Sequence, residues 1–131
     1  MILRRLAMAA LGCALLLAQA QAQQADPAAP AQPGWVPRGT AELQALDKVY
    51  ARAATLSVKI GQSVRFGTID IAVLGCFVRP PDRAQDAAAF LAITDQQDGA
   101  TKFRGWMFAG NPALSMLEHP IYDVRVIGCQ N

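Results

Sequence analysis

The chain has a single histidine, His119, set between Glu118 and Pro120 and followed by Asp123. An imidazole oriented by a carboxylate can serve as a general base, so Glu118, His119 and Asp123 are the residues with which a small hydrolase would work. The same run has a plainer use. His119 would end a short helix and bond a nearby carbonyl or acid, fixing the start of the last strand. One histidine excludes a multi-histidine metal site and leaves zinc without its usual ligands. The sequence has no glycine-rich phosphate loop, nucleophile elbow or paired-cysteine metal spacing. No catalytic, cofactor-binding or metal-binding residue is assigned.

Two carboxylate pairs, Asp82/Asp86 and Asp95/Asp98, lie beside Pro or Gly in expected loops. Acids in such places organise turns more often than they do acid–base work or bind calcium. Asp47-Lys48 reads as a solvated pair on a strand edge, where it would discourage edge-to-edge pairing. Phe103, Trp106, Met107 and Phe108 crowd one expected strand, with Trp106 and Phe108 on one face and Phe103 and Met107 on the other. Either both faces are buried, one of them under the Asn111–His119 segment, or Trp106 and Phe108 form a stacking surface for a sugar, peptide or partner.

These residues need a scaffold, and the patterning supplies a β one. Leu56, Val58 and Ile60 alternate with polar residues, as do Val64 and Phe66, then Ile69, Ile71 and Val73. With Gly61-Gln62 and Gly67-Thr68 as turns, this predicts a three-strand meander whose last strand runs to Val78, before Pro80-Pro81. Ala88 to Thr94 and Lys102 to Ala109 form a hairpin around Asp95–Gly99. Asn111-Pro112 predicts a short helix, since Asn caps free amides and Pro tolerates the first helical position. Ile121 to Cys129 is the closing strand. Glu42 to Tyr50 fits strand or helix and is taken as strand. The expectation is an all-β domain, a small barrel or sandwich of about six or seven strands with one short helix near the C-terminus.

The N-terminal end is different. Met1–Arg5 is basic, Leu6–Ala18 is apolar, and Ala18-Gln19-Ala20 and Ala20-Gln21-Ala22 are small-x-small sites. That order predicts a secretory signal peptide over residues 1–22, cut after Ala20 or Ala22, and places the protein in a bacterial periplasm. The apolar run is shorter than the about 20 residues a membrane span requires, so no transmembrane span is expected in the mature chain. Leu3 before Arg4-Arg5 argues against a twin-arginine signal, and Leu15–Leu17 after Cys13 argue against lipidation. Residues 23–34 are an Ala/Gln/Pro-rich linker, and residues 35–131 a single domain of modest core. Without Arg4 and Arg5, ten basic side chains face ten acidic ones. A neutral chain has no means of tracking a polyanion, so no nucleic-acid partner is expected.

Cleavage leaves two cysteines in an oxidising compartment, each following a glycine. A Cys76–Cys129 disulfide is therefore expected, the glycines permitting close backbone approach.

Val64-Arg65-Phe66-Gly67, Arg79-Pro80-Pro81, Gly105-Trp106-Met107-Phe108-Ala109 and Glu118-His119-Pro120-x-Tyr122-Asp123-Val124 together carry a resemblance. From Trp35 to Cys129 the chain resembles an uncharacterised domain-of-unknown-function family of short exported proteobacterial proteins. Arg125 departs from the aromatic residue expected there. The resemblance implies the domain extent and export, and no activity. The sequence reading is a non-enzymatic periplasmic binding or scaffolding module acting on an envelope component, protein or glycan. Its candidate surface is Trp106, Phe108, Glu118 and His119. The alternatives are a hydrolase using Glu118, His119 and Asp123, and a purely structural envelope protein.

Overall fold

A computed structural model describes residues 34–131. The leader and nearly all of the linker expected from the sequence lie outside the described residues. Eight strands are present: β1 Val36–Pro37, β2 Thr40–Asp47, β3 Arg52–Lys59, β4 Ser63–Phe66, β5 Ile69–Val78, β6 Ala87–Asp95, β7 Thr101–Phe108 and β8 Tyr122–Gln130. They form two antiparallel sheets. The larger runs β1-β5-β6-β7, with β4 also paired to β5, and the smaller runs β3-β2-β8. The two face each other as a sandwich, and the described strands close no barrel.

The core follows from alternation. Ala41, Leu43 and Ala45 of β2 are fully buried, whereas Glu42 and Gln44 between them turn outward. Ile69, Ile71 and Val73 of β5, Leu91 and Ile93 of β6, and Tyr122, Val124 and Val126 of β8 complete the packed layer. Two turns depend on positive φ. Gly99 (φ 67°) closes the β6–β7 hairpin, and Gly67 (φ 57°) turns β4 into β5 directly beneath the Tyr122 phenol.

Two expectations are corrected. β3, β4 and β5 are not a meander, because β3 pairs with β2 in the smaller sheet while β4 pairs with β5 in the larger. Gly61-Gln62 therefore carries the chain from one sheet to the other. Its amides bond Val73 and Lys59 carbonyls, so the turn is anchored to both sheets. The C-terminal helix is only a 3-10 turn, Pro112–Leu114. Asn111 makes no side-chain cap there, the chain is already extended at Ser115, and Leu117 packs into the core. The ambiguous Glu42–Tyr50 segment is mostly strand and ends in the β2–β3 turn.

Candidate functional site

The strands present three features on which a function could rest: a clasp between the sheets, a polar knot at one end, and an aromatic outer face.

The clasp joins Cys76 of β5 to Cys129 of β8. Their sulfurs lie at bonding distance and their Cα atoms 5.8 Å apart. Simple alternation would point both away from the core, since Ile69, Ile71, Val73, Tyr122, Val124 and Val126 already face inward. Each strand contains one extra residue, Leu74 in β5 and Ile127 in β8, which interrupts the pairing. These bulges reset the alternation so that Cys76 and Cys129 turn inward and meet. The glycines noted in the sequence follow the bulges rather than create the approach by themselves.

The knot is built on His119, which is buried. Its Nδ1 accepts the Ile121 amide at 3.1 Å and the Tyr122 amide at 3.2 Å. That leaves Nε2 protonated, and it donates to Asp95 Oδ2 at 2.9 Å. Asp95 Oδ1 accepts the Gln97 amide at 3.0 Å. The Gln97 amide first, and His119 second, hold the Asp95 carboxyl below the usual carboxylate range. Lys48 Nζ donates to the His119 carbonyl at 2.7 Å, and the Tyr122 hydroxyl accepts the Thr68 amide at 3.1 Å. Four connections between strands are tied here: β2–β3, β4–β5, β6–β7 and β7–β8.

The knot uses up its own chemistry. Both His119 nitrogens are engaged within the protein, so neither is available to a substrate. Glu118 is exposed, and Asp123 faces a shallow depression with Gln44, Leu46 and Arg125 on the outside of the smaller sheet. Glu118, His119 and Asp123 are thus not assembled as a unit. Asp95 is the acid that meets His119. Asp47 and Lys48 are likewise not a solvated edge pair: Asp47 is buried and its Oδ1 accepts the Val49 and Tyr50 amides, shaping the β2–β3 turn. Asp98 Oδ1 accepts the Ala100 amide, the turn chemistry expected of it, whereas Asp86 Oδ1 accepts the Ala87 and Gly110 amides and ties its loop to the residues after β7. Among the described residues no group of three or more His, Cys, Asp or Glu is placed to hold a metal.

The third feature is the outer face of the larger sheet. Met107 and Phe103 of β7 face the core, and Trp106 faces out, as the alternation predicted. The outward rows pair Gly75 with Phe90 and Phe90 with Trp106, and next to them Phe77 with Ala88 and Ala88 with Phe108. Trp106 packs against Phe90 at 5.2 Å and 78°, and against Phe77 at 5.8 Å and 59°, centroid to centroid. Trp35, the residue before β1, adjoins the same face with Arg79 over its ring at 5.2 Å, and Arg104 lies over Phe90 at 5.3 Å. Trp106 is half-buried, and the Asn111–His119 segment does not cover it, because Leu117 packs between the sheets. Phe108 lines a groove of about 110 Å³ with Pro112, Met116 and Val124.

The structure therefore separates residues that the sequence reading grouped. Trp106 and His119 lie on opposite sides of the larger sheet, one outward and one in the knot. Trp35, Phe77, Phe90, Arg79 and Arg104 were not among the candidates. Phe90 could have been found from its cross-strand position in the predicted hairpin. Trp35 and Phe77 could not, because β1 is two residues long and the Leu74 bulge inverts the reading of Phe77.

The fold and its features define a small two-sheet β sandwich clasped by a cysteine pair, with one aromatic outer face. The chain belongs to the bacterial family described as "Uncharacterized protein conserved in bacteria (DUF2155)", whose model matches residues 41–129. It is also similar to an uncharacterised protein of Rickettsia prowazekii (strain Madrid E), 32% identical over 88 residues. That match covers 65% of this chain and 57% of the relative, so the chain spans little more than half of that protein's length. No solved structure matches the chain. No helix among the described residues is long and apolar enough to cross a membrane.

Proposed function

We propose that the protein is an exported, non-enzymatic binding or scaffolding module of the bacterial envelope, and that it binds through the outer face of its larger sheet. The observation that carries this reading is the contrast between the two outer faces. On the smaller sheet, Glu42 accepts from Ser57 and Gln130, and Gln44 accepts from Arg125, so its outward polar groups satisfy one another. The larger sheet instead turns both tryptophans of the chain and three of its five phenylalanines to its outer side, where Trp35, Phe77, Trp106 and Phe108 are half-buried and Phe90 is buried among them. Aromatic surface left partly open to water is characteristic of contact sites.

Export rests on the basic, apolar and small-x-small order of the leader and on two cysteines suited to an oxidising compartment. The hydrolase reading loses support because His119 has no free nitrogen. Hydroxyl-radical footprinting of the mature domain in envelope extract tests the proposal. Trp35 and Trp106 should become protected while Tyr50, exposed in the β2–β3 turn, stays reactive. Protection at Tyr50 with none at the tryptophans would refute it.

A further inference from the structure

Two arginines frame the aromatic face, and neither has an acid. Among the described residues, the Arg and Lys ion pairs are Arg52–Asp47, Arg65–Asp70 and Lys102–Asp98. Arg79 and Arg104 pair with aromatic rings instead, and Arg79 Nε is buried without a hydrogen-bond partner. A buried guanidinium nitrogen with nothing to donate to is costly, and the Arg79 Nη groups, which are neither buried nor paired, leave the cation open to a carboxylate from outside.

The rings between them are not a flat platform. Phe90 and Phe77 meet Trp106 at 78° and 59°, a herringbone and not a coplanar stack. Sugars stack on open coplanar faces, whereas rings tilted as these are pack edge to face against aromatic and apolar side chains. A second copy of the same face would bring its own unpaired arginines against these, a like-charge contact.

Resting on the proposed use of this face, we infer that its occupant is an extended protein segment with a carboxylate at each end and apolar side chains between. The register sets the spacing. Arg79 lies one outward position beyond Phe77, and Arg104 one beyond Trp106 in the other direction and two strands across. From ordinary strand spacings, their backbones are about 22 Å apart, along a diagonal about 25° from the strands. That diagonal is close to the roughly 30° at which sheets pack face to face. An extended chain covers the distance in about six residues, so the acids stand at positions i and i+6 and the apolar side chains at i+2 and i+4.

The probe is a cyclic β-hairpin presenting Glu-Thr-Phe-Thr-Val-Thr-Glu on one strand, with otherwise identical hairpins ending in Gln or in Lys. Binding to the mature domain is followed by chemical-shift changes of the two indole N–H groups. The Glu hairpin should bind, weaken as salt rises, and lose about fivefold in affinity with each of Arg79→Gln and Arg104→Gln. The Gln hairpin should bind more weakly and the Lys hairpin not at all. Arg104 is exposed, so its substitution keeps the fold even if that of Arg79 does not. Equal binding of Glu and Gln hairpins, or no effect of Arg104→Gln, overturns the acidic-segment inference while leaving the face as a binding surface. Absence of binding by the Glu hairpin at millimolar concentration also overturns it. Binding unaffected by Trp106→Ala removes the face itself. A dimer in sedimentation that Trp106→Ala abolishes would make the occupant a second copy and refute the inference.

Discussion

Cys76 and Cys129 meet across the sandwich only because each lies two residues past a bulge, Leu74 in one sheet and Ile127 in the other. The pair links two strands that are never hydrogen-bonded to each other, and it closes a loop with a sequence separation of 53 residues. In the chain-entropy account a crosslink of that span contributes about 4 kcal/mol. The double variant Cys76→Ala/Cys129→Ala should therefore unfold at lower urea concentration by about that free energy. Equal midpoints for oxidised wild type and the double variant would show that the clasp adds nothing.

The bulges also show what the sequence reveals and what it hides. Inward alternation was legible along Ile69, Ile71 and Val73 and along Tyr122, Val124 and Val126, because each run is unbroken. The extra residue leaves no local mark, since Leu74 and Ile127 are as apolar as their neighbours. The same limit applies at Gly61-Gln62. Periodicity identifies β3 and β4 as strands but is silent on which sheet each joins. The Asp95–His119 contact joins residues 24 apart and rests on a fold in which two loops converge, so Asp123, nearer in sequence, was the more visible partner.

His119 organises the knot, so its loss should cost stability rather than specificity. His119→Ala removes the donor to Asp95 and the acceptor of two amides, and should destabilise the domain by about 2 kcal/mol. Chemical denaturation checks this, together with amide exchange at Ile121 and Tyr122, which should rise. Unchanged protection of both amides would mean that the ring does not hold them.

Acid should loosen the same knot. The Asp95 carboxyl is lowered by the Gln97 amide and by His119, so the folded state releases this proton more readily than the unfolded state. Its contribution is fully present above the unfolded carboxylate value of about 3.9 and is lost as pH falls through the lower folded value. Asp95→Asn should lower stability at neutral pH and flatten its decline below about pH 4. A parallel decline in wild type and variant would place the acid sensitivity elsewhere.

Gly67 is constrained twice. Its φ of 57° disfavours any side chain, and a Cβ there would overlap the Tyr122 phenol whose oxygen accepts the Thr68 amide. Gly67→Ala should destabilise by about 2 kcal/mol, more than the about 1 kcal/mol of Tyr122→Phe, which removes only the hydrogen bond. Thermal melts rank the two. The reverse order would mean that the phenol yields without cost.

On the proposed function, the aromatic sheet face binds while the polar sheet face and the knot do not. The most direct measurement pairs one variant from each outer face, Trp106→Ala and Arg125→Ala, and compares their affinity for the envelope component that the wild-type domain retains. Thermal melts confirm that both are folded. Trp106→Ala should remain folded, losing about 2 kcal/mol from its contacts with Phe77 and Phe90, and should bind at least tenfold more weakly. Arg125→Ala should bind as wild type does. Full binding by folded Trp106→Ala, or loss of binding by Arg125→Ala alone, would contradict the account.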